Sequence, residues 1–222
     1  MALGHSGEAI GENGSVTTVV LFPTELEARG FRRSGVVPLV SGVGLVATAR
    51  STVAAIAGGA PFGDTGAPDW LILAGLAGCY PESGLDIGDA ALVAREVEAD
   101  LGVFGPAGFV HLSQADLGFP TDAGRPLDCP HLPPGLPLPA VASATVSGAQ
   151  APHIDTDGLA LENMEGAAFF DVCLAAGQRF LELRAISNVA HPHADWHIER
   201  GIAGLHAGLH LLLDHLTPPG VG

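Results

Sequence analysis

The sequence contains no lysine: its nine cationic residues other than histidine are all arginines. Schiff-base catalysis on a lysine and a Walker-type phosphate loop are therefore excluded, because both need an ε-ammonium. Cysteine is scarce. Cys79, Cys129 and Cys173 are odd in number and widely spaced, which argues against a disulfide framework or a zinc ribbon and fits three reduced, structural thiols in a cytoplasmic protein. No apolar run approaches the roughly 20 residues that a membrane-spanning helix needs. Positive charge is short as well. The formal net charge of −15 repels a phosphate backbone or an anionic bilayer, so neither a nucleic acid nor a membrane surface is an expected partner. The opening segment, residues 1–15, is polar, Gly-rich and acidic, and lacks the basic start and apolar centre of a signal peptide. It reads as a flexible tail ahead of a single domain over residues 16–217.

What is present is an alternation of strand and helix patterns in a chain of 222 residues, 47% of them apolar, enough for one α/β domain with a full core. Residues 16–22 read as a buried first strand, and Pro23-Thr24-Glu25-Leu26-Glu27-Ala28 starts a helix with acids in its first turn, where the dipole favours them. Residues 36–40 form a short strand, and Ser41-Gly42-Val43-Gly44 turns into an Ala/Val-rich helix running to about Ile56. Residues 70–74 are a further buried strand, closed by the small residues Gly75-Leu76-Ala77-Gly78, which allow a ligand to approach the backbone. A turn at Ile87-Gly88-Asp89 leads into a strand to about Ala94. Residues 105–139, rich in Pro, Gly and Asp, read as a long surface excursion. Another strand covers 141–146, and a closing helix from Trp196 to Leu216 places Ile198, Ile202, Leu205, Leu209, Leu212 and Leu216 on one face.

The most informative run is Gly158 to Phe170, in which Asn163-Met164-Glu165-Gly166-Ala167-Ala168 opens a small-residue helix. It is followed by the apolar strand Phe180-Leu181-Glu182-Leu183-Arg184-Ala185-Ile186 with Ser187-Asn188 at its end. This pattern puts an acid and an amide at the ends of neighbouring strands, at the carboxyl edge where α/β enzymes bind ligands. Together with Thr24-Glu25-Leu26-Glu27, Ser41-Gly42-Val43-Gly44, Gly75-Leu76-Ala77-Gly78, Ile87-Gly88-Asp89 and Val146-Ser147-Gly148, these segments stand in the order found in the superfamily of purine nucleoside phosphorylases and methylthioadenosine nucleosidases. Within that superfamily the chain most resembles the futalosine hydrolases, on Asn163 to Phe170, Ile186-Ser187-Asn188 and Trp196-His197-Ile198. The resemblance spans residues 16–216 and implies a three-layer α/β/α sandwich around a central mixed, partly barrel-like sheet.

It also implies roles. Glu165 accepts hydrogen bonds from the ribose 2′ and 3′ hydroxyls, a task that suits a carboxylate because it can accept from two donors at once. Met164 packs on the sugar face, and Ala77, Gly78, Asn163, Ser187 and Trp196 complete the substrate site. Glu27, ahead of Glu25, is the general base that activates water on the ribose face opposite the base. Asn188 takes the place of an Asp found in adenine-releasing relatives. An amide NH₂ can donate to both N7 and O6 of a 6-oxopurine, so the resemblance implies hypoxanthine as the leaving base. Leu76 stands where adenine-specific relatives have a supporting Ser. No aromatic residue occurs around Ala149-Gln150-Ala151, which leaves stacking on the base to Phe169 or Trp196. An arginine or a set of backbone donors should meet the benzoate of the futalosine 5′ extension, with the excursion 105–139 or a neighbouring subunit on that side.

The implied activity is hydrolysis of an N-ribosidic bond without a cofactor, by a cytoplasmic homo-oligomer, a dimer or dimer of dimers. Carboxylates in the Glu25-Glu27 segment, in place of arginines that would seat a phosphate dianion, favour water over phosphate as the nucleophile. Rival readings are a methylthioadenosine-type nucleosidase, a 6-oxopurine nucleoside phosphorylase, and a nucleoside-binding protein without catalysis. His191, His193 and His197 cluster, and His206 and His210 share a helix face at i,i+4. Neither group has the HExxH or Cys company of a zinc site, and no metal is expected. Cys79 lacks a fixed His or Asn partner that would activate it.

Overall fold

A computed structural model of the chain describes residues 18–58, 67–119, 121–190 and 195–216. The expected N-terminal tail, His191 and His193 lie outside the described residues. Ten strands and four helices are described: β1 (Thr18–Phe22), α1 (Glu25–Ala28), β2 (Val36–Val40), α2 (Leu45–Ile56), β3 (Trp70–Cys79), β4 (Ala90–Glu98), β5 (Gly102–Gly105), β6 (Gly108–His111), β7 (Leu127–Asp128), β8 (Ala140–Thr145), β9 (Leu161–Asn163), α3 (Gly166–Ala176), β10 (Phe180–Val189) and α4 (Ile198–Leu216).

The β-branched and aliphatic run of β1 is buried at every position, and β10 is buried throughout except at Val189. Strands with no face open to solvent need cover on both sides, which is the condition of a sheet between helical layers. β1 pairs in parallel with both β2 and β3, and β3 continues in parallel to β10. From β10 the sheet runs antiparallel to β4, then parallel through β8 to β9, and β9 returns antiparallel to β3. The five strands β3, β10, β4, β8 and β9 thus close a small ring, and β1 and β2 extend from it as an open parallel wing. This is the expected three-layer sandwich around a mixed, partly barrel-like sheet. α4 packs on β10 and β3, burying Leu205, Leu209, Leu212 and Leu213, while α3 lies against α2. Phe169 and Phe170 of α3 meet Phe180 of β10 edge-on at centroid distances of 5.6 and 4.9 Å. Truncating any of these rings to Ala is worth about 3–5 kcal/mol.

Three expectations are corrected. The glycine-rich run after Ala74 does not end its strand: β3 continues through it to Cys79. Its lack of side chains serves a close approach, since a Cβ on Gly75 would lie 2.6 Å from Arg184 Nη1 of the adjoining strand. The strands carrying Glu165 and Asn188 are not neighbours, because β9 and β10 flank β3 from opposite sides. The excursion 105–139 does not lie wholly on the surface. The hairpin β5–β6 begins just before it and β7 pairs with β4, with Leu127 and Cys129 joining the core; elements this short leave too little periodicity to read.

Candidate active site

A cavity of about 270 Å³ opens at the carboxyl ends of β1, β3 and β10, between α1, the loop before α2 and the segment leading into α4. Glu27, Ala77, Gly78, Asn163, Met164, Glu165, Ser187 and Trp196 all line it, so the structure brings eight of the nine sequence-predicted site residues to one wall. Larger hollows, including one of about 430 Å³ between α2 and α3, hold none of them. The cavity is mostly apolar, with Pro23, Leu26, Val43, Leu76, Val146 and Ile198 among its walls. Its charged lining consists of Glu27, Glu162 and Glu165, with no arginine or histidine among the described residues.

Glu27 owes its position to a very short helix. Thr24 caps α1, its hydroxyl accepting from the Glu27 backbone N–H at 3.2 Å and donating to Glu27 Oε2 at 2.5 Å. The backbone N–H of Leu76 donates to Glu27 Oε1 at 2.8 Å. Only 5% of Glu27 is exposed, whereas Glu25 faces solvent, so geometry separates two acids that the sequence left adjacent.

Glu165 sits at the N-cap of α3 and is likewise almost covered. Its Oε1 accepts from the backbone N–H of Gly44 at 3.1 Å, where the Ser41–Gly44 turn enters α2, and its Oε2 accepts from Arg184 Nη1 at 3.0 Å. Arg184 is completely buried. Its Nε donates to Glu182 Oε1 at 2.7 Å, Nη2 to Asn163 Oδ1 at 3.1 Å and Nη1 also to the Leu76 carbonyl at 3.3 Å. One guanidinium therefore holds Glu165 directly and touches the peptide whose neighbouring N–H orients Glu27. Asn163 lines the cavity, but its polar atoms are committed to the protein. Nδ2 donates to Glu96 Oε1 and Ser143 Oγ, and Oδ1 accepts from the backbone N–H groups of Glu165 and Gly166. Its contribution is to fix the turn that presents Glu165.

Beneath this wall lie Glu96 and Glu182, both inaccessible to solvent. Burial and the neighbouring Glu182 push the Glu96 carboxyl well above the usual carboxylate range, against hydrogen bonds from Thr145 and Asn163. Burial also raises Glu182, opposed by the Arg184 guanidinium. Each carboxylate disfavours ionisation of the other in this dry interior, and Glu182 has the guanidinium bonded to it while Glu96 does not. Sequence reasoning assigned neither acid a role, nor Arg184. The available signal was charge inside strands that otherwise read as fully buried, with Glu182 and Arg184 at i,i+2 on one strand face.

Asn188 is the ninth predicted residue, and it does not line the cavity. Its side chain is fully covered, with Oδ1 accepting from Ser187 Oγ at 2.9 Å and Nδ2 donating to the Val189 carbonyl at 3.2 Å. The register of β10 against β3 slips between Ile186 and Asn188, so Ser187 is an inserted residue. Such a bulge redirects side chains. Here Ser187 reaches the cavity while Asn188 lies directly behind Gly78, where a Cβ would come within 3.0 Å of Asn188 Nδ2.

Of the two candidates for base stacking, Phe169 is buried in the core with Phe170 and Phe180, whereas Trp196 borders the cavity and is 54% exposed. No residue of 105–139 lines the cavity among those described. His206 bonds the Glu27 carbonyl at 2.7 Å and packs with His210 around Phe31. Among the described residues no three His, Cys, Asp or Glu side chains are grouped to hold a metal ion. All three thiols are buried and pushed up by burial, Cys129 to about 11, which keeps them from acting as nucleophiles.

No family model matches the sequence. A curated futalosine hydrolase of Thermus thermophilus is 36% identical over 223 aligned positions, covering 88% of this chain and 94% of that protein. Among solved structures, the futalosine hydrolase of Helicobacter pylori superposes with a TM-score of 0.66 at 18% identity, covering 90% of this chain and 98% of that one. A Helicobacter pylori MTAN variant with 5′-methylthioadenosine in its active site gives 0.68 at 18% identity, covering 90% and 99%. The 5′-methylthioadenosine nucleosidase of Arabidopsis thaliana gives 0.70 at 17% identity, covering 93% and 98%. At these identities the structural matches establish a shared fold.

Proposed function

The chain belongs to the futalosine hydrolase family, and from that premise we propose that it cleaves the N-ribosidic bond of futalosine with water. The products are hypoxanthine and dehypoxanthine futalosine, a step toward menaquinone. The observation that carries this reading is one cavity in which two buried carboxylates, Glu27 and Glu165, are each aimed by a backbone N–H, with no cation on the described wall. A phosphate dianion has nothing to pair with on such a wall, whereas water and a cationic sugar do.

Glu165 receives the ribose hydroxyls, and Met164 and the apolar wall cover the sugar. As the bond from C1′ to the base nitrogen breaks, its electron pair leaves with the base and positive charge builds on the ribose. The nearby carboxylates stabilise that charge through a water-poor medium. Glu27 takes a proton from the water whose oxygen bonds to C1′, a contribution of about 10²–10⁴ in rate for a positioned general base. Trp196 borders the base and Ser187 its edge. Asn188 supports the departing hypoxanthine from behind Gly78, with its nitrogen rather than its oxygen turned toward that wall. No cofactor enters this scheme.

The substrate is a small nucleoside, and the same reading makes the protein a cytoplasmic homo-oligomer, a dimer or dimer of dimers. Val43, Val46 and Val53, on and beside α2, are each more than half exposed, an apolar surface suited to a second copy. No helix among the described residues is long and apolar enough to cross a membrane.

The test is to incubate purified protein with futalosine, aminofutalosine, inosine and methylthioadenosine, with and without phosphate, and to identify the free base. Hypoxanthine released from futalosine at a rate independent of phosphate is expected; turnover that requires phosphate overturns the reading. Replacing Glu27 by Gln should lower kcat by about 10²–10⁴ while leaving ligand affinity within a few-fold. Unchanged turnover in that variant would remove Glu27 from the chemistry.

A further inference from the structure

We infer that Glu162 determines which base the cavity accepts, its carboxylate taking the N1–H of a 6-oxopurine beside the amide of Asn188. This rests on the hydrolase reading above and extends it to a residue outside the resemblance. Across the sheet, Gly78 of β3 is in register with Glu162 of β9 on one side and with Asn188 of β10 on the other. In-register residues share a sheet face. Gly78 has no side chain, so the two flanking groups approach each other over its Cα: a Cβ there would lie 3.0 Å from Asn188 Nδ2 and 3.2 Å from Glu162 Cγ. Both Gly78 and Glu162 line the cavity. The Glu162 carboxylate therefore stands on the wall, and the Asn188 amide, covered and outside the lining, comes up to the same point of the backbone from the other side of Gly78.

Glu162 is 5% exposed, and no arginine or histidine among the described residues bonds to it. It is held instead by the backbone N–H of Gln150 on Oε1 at 3.0 Å, with the Tyr80 hydroxyl 3.5 Å from Oε2. Gln150 adopts φ +60°, a left-handed conformation that a residue with a Cβ seldom takes. Backbone held in that region tends to mark sites where geometry serves a ligand. The arrangement keeps an acid without a cationic partner among the described residues against the cavity, at a desolvation cost that a purely structural position would avoid with an apolar residue. Burial correspondingly raises its carboxyl above the usual range.

The chemistry of the base edge decides the rest. A 6-oxopurine offers an acceptor at O6 next to a donor at N1–H; a 6-aminopurine offers a donor at the amino group next to an acceptor at N1. Amide NH₂ beside carboxylate matches the first order and opposes the second. An amide alone can be turned over to suit either base, but an ionised carboxylate only accepts. Glu162 is thus the element that cannot be reversed. A mismatch in a dry site leaves polar groups unpaired on both partners, which is how such sites reach large discrimination.

The experiment compares kcat/KM for futalosine and aminofutalosine in the natural protein and in Glu162→Gln, with hypoxanthine, adenine and 1-methylhypoxanthine as competitive inhibitors of the natural protein. The natural protein should prefer futalosine by 100-fold or more. Glu162→Gln, whose amide can also donate to N1, should reduce that preference at least tenfold. Hypoxanthine should inhibit at least tenfold better than adenine or 1-methylhypoxanthine, a readout that needs no variant and stands if Glu162→Gln fails to fold. A folded variant with the natural preference, or equal inhibition by the three bases, overturns the role of Glu162. Failure of the natural protein to cleave either nucleoside would instead defeat the hydrolase reading.

Discussion

Five glutamates are buried among the described residues, and they fall into two sets that meet the cost of burial differently. Glu27, Glu162 and Glu165 border the cavity, and each accepts a hydrogen bond from a backbone N–H, of Leu76, Gln150 and Gly44 respectively. Glu96 and Glu182 lie beneath with no access to solvent, and burial raises both carboxyls against the influence of Arg184. Fixed backbone N–H dipoles favour the negative form where the proposed chemistry uses it. Burial of two neighbouring acids favours the neutral form where only packing is served. Arg184 joins the two sets, bonded to Glu165 on one side and Glu182 on the other.

The largest expected effect therefore comes from removing that joint. Arg184→Met keeps the apolar length of the side chain but leaves Glu165, Glu182 and the Asn163 carbonyl without their cation. Breaking a buried pair from one side costs about 3–5 kcal/mol. Urea unfolding should show a loss of this size, with turnover at background. A variant within about 1 kcal/mol of the natural protein would mean that the lower acids are already neutral without the guanidinium.

How much of this was legible beforehand depends on what each residue answers to. The elements around β1, β2, α2 and β8 follow local periodicity and were read within a residue or two of their limits. Glu27, Met164 and Glu165 were identified by motif order, and they converge because strand ends of one sheet edge converge. Register was not legible. The extension of β3 through Gly75–Cys79, the separation of β9 from β10 and the bulge at Ser187 are properties of pairing between distant segments, and the position of Asn188 behind Gly78 follows from that bulge. The network of Glu96, Glu182 and Arg184 left a trace, charge in the middle of apolar strands, that local pattern reading treats as noise.

The comparison is sharpened by pH. The raised Glu96 carboxyl binds its proton more tightly in the folded chain than in the unfolded one. Its contribution to stability is therefore fully present below the unfolded value of about 4.3 and is lost as pH rises through the raised folded value. Glu96→Gln mimics the protonated form at every pH. Urea midpoints measured from pH 4 upward should fall for the natural protein and stay flatter for the variant, by a margin smaller than the Arg184 effect. Parallel profiles would show that Glu96 does not hold a proton more tightly in the folded chain.

The smallest expected effect tests whether the orientation of a wall acid matters apart from its presence. Thr24→Val preserves the shape of the residue but deletes the hydroxyl that both caps α1 and donates to Glu27 Oε2. The lost cap is worth about 1 kcal/mol of stability. Glu27 keeps the Leu76 N–H on its other oxygen and so stays in place, but one of its two restraints is gone. A loss of about 1.4 kcal/mol in transition-state stabilisation corresponds to a tenfold lower kcat, the size expected here, with KM unchanged because the proposed mechanism gives the ribose contacts to Glu165. If kcat instead falls as far as in Glu27→Gln, the hydroxyl is part of the base rather than its support. If kcat does not move, the Leu76 N–H alone is sufficient to aim the carboxylate.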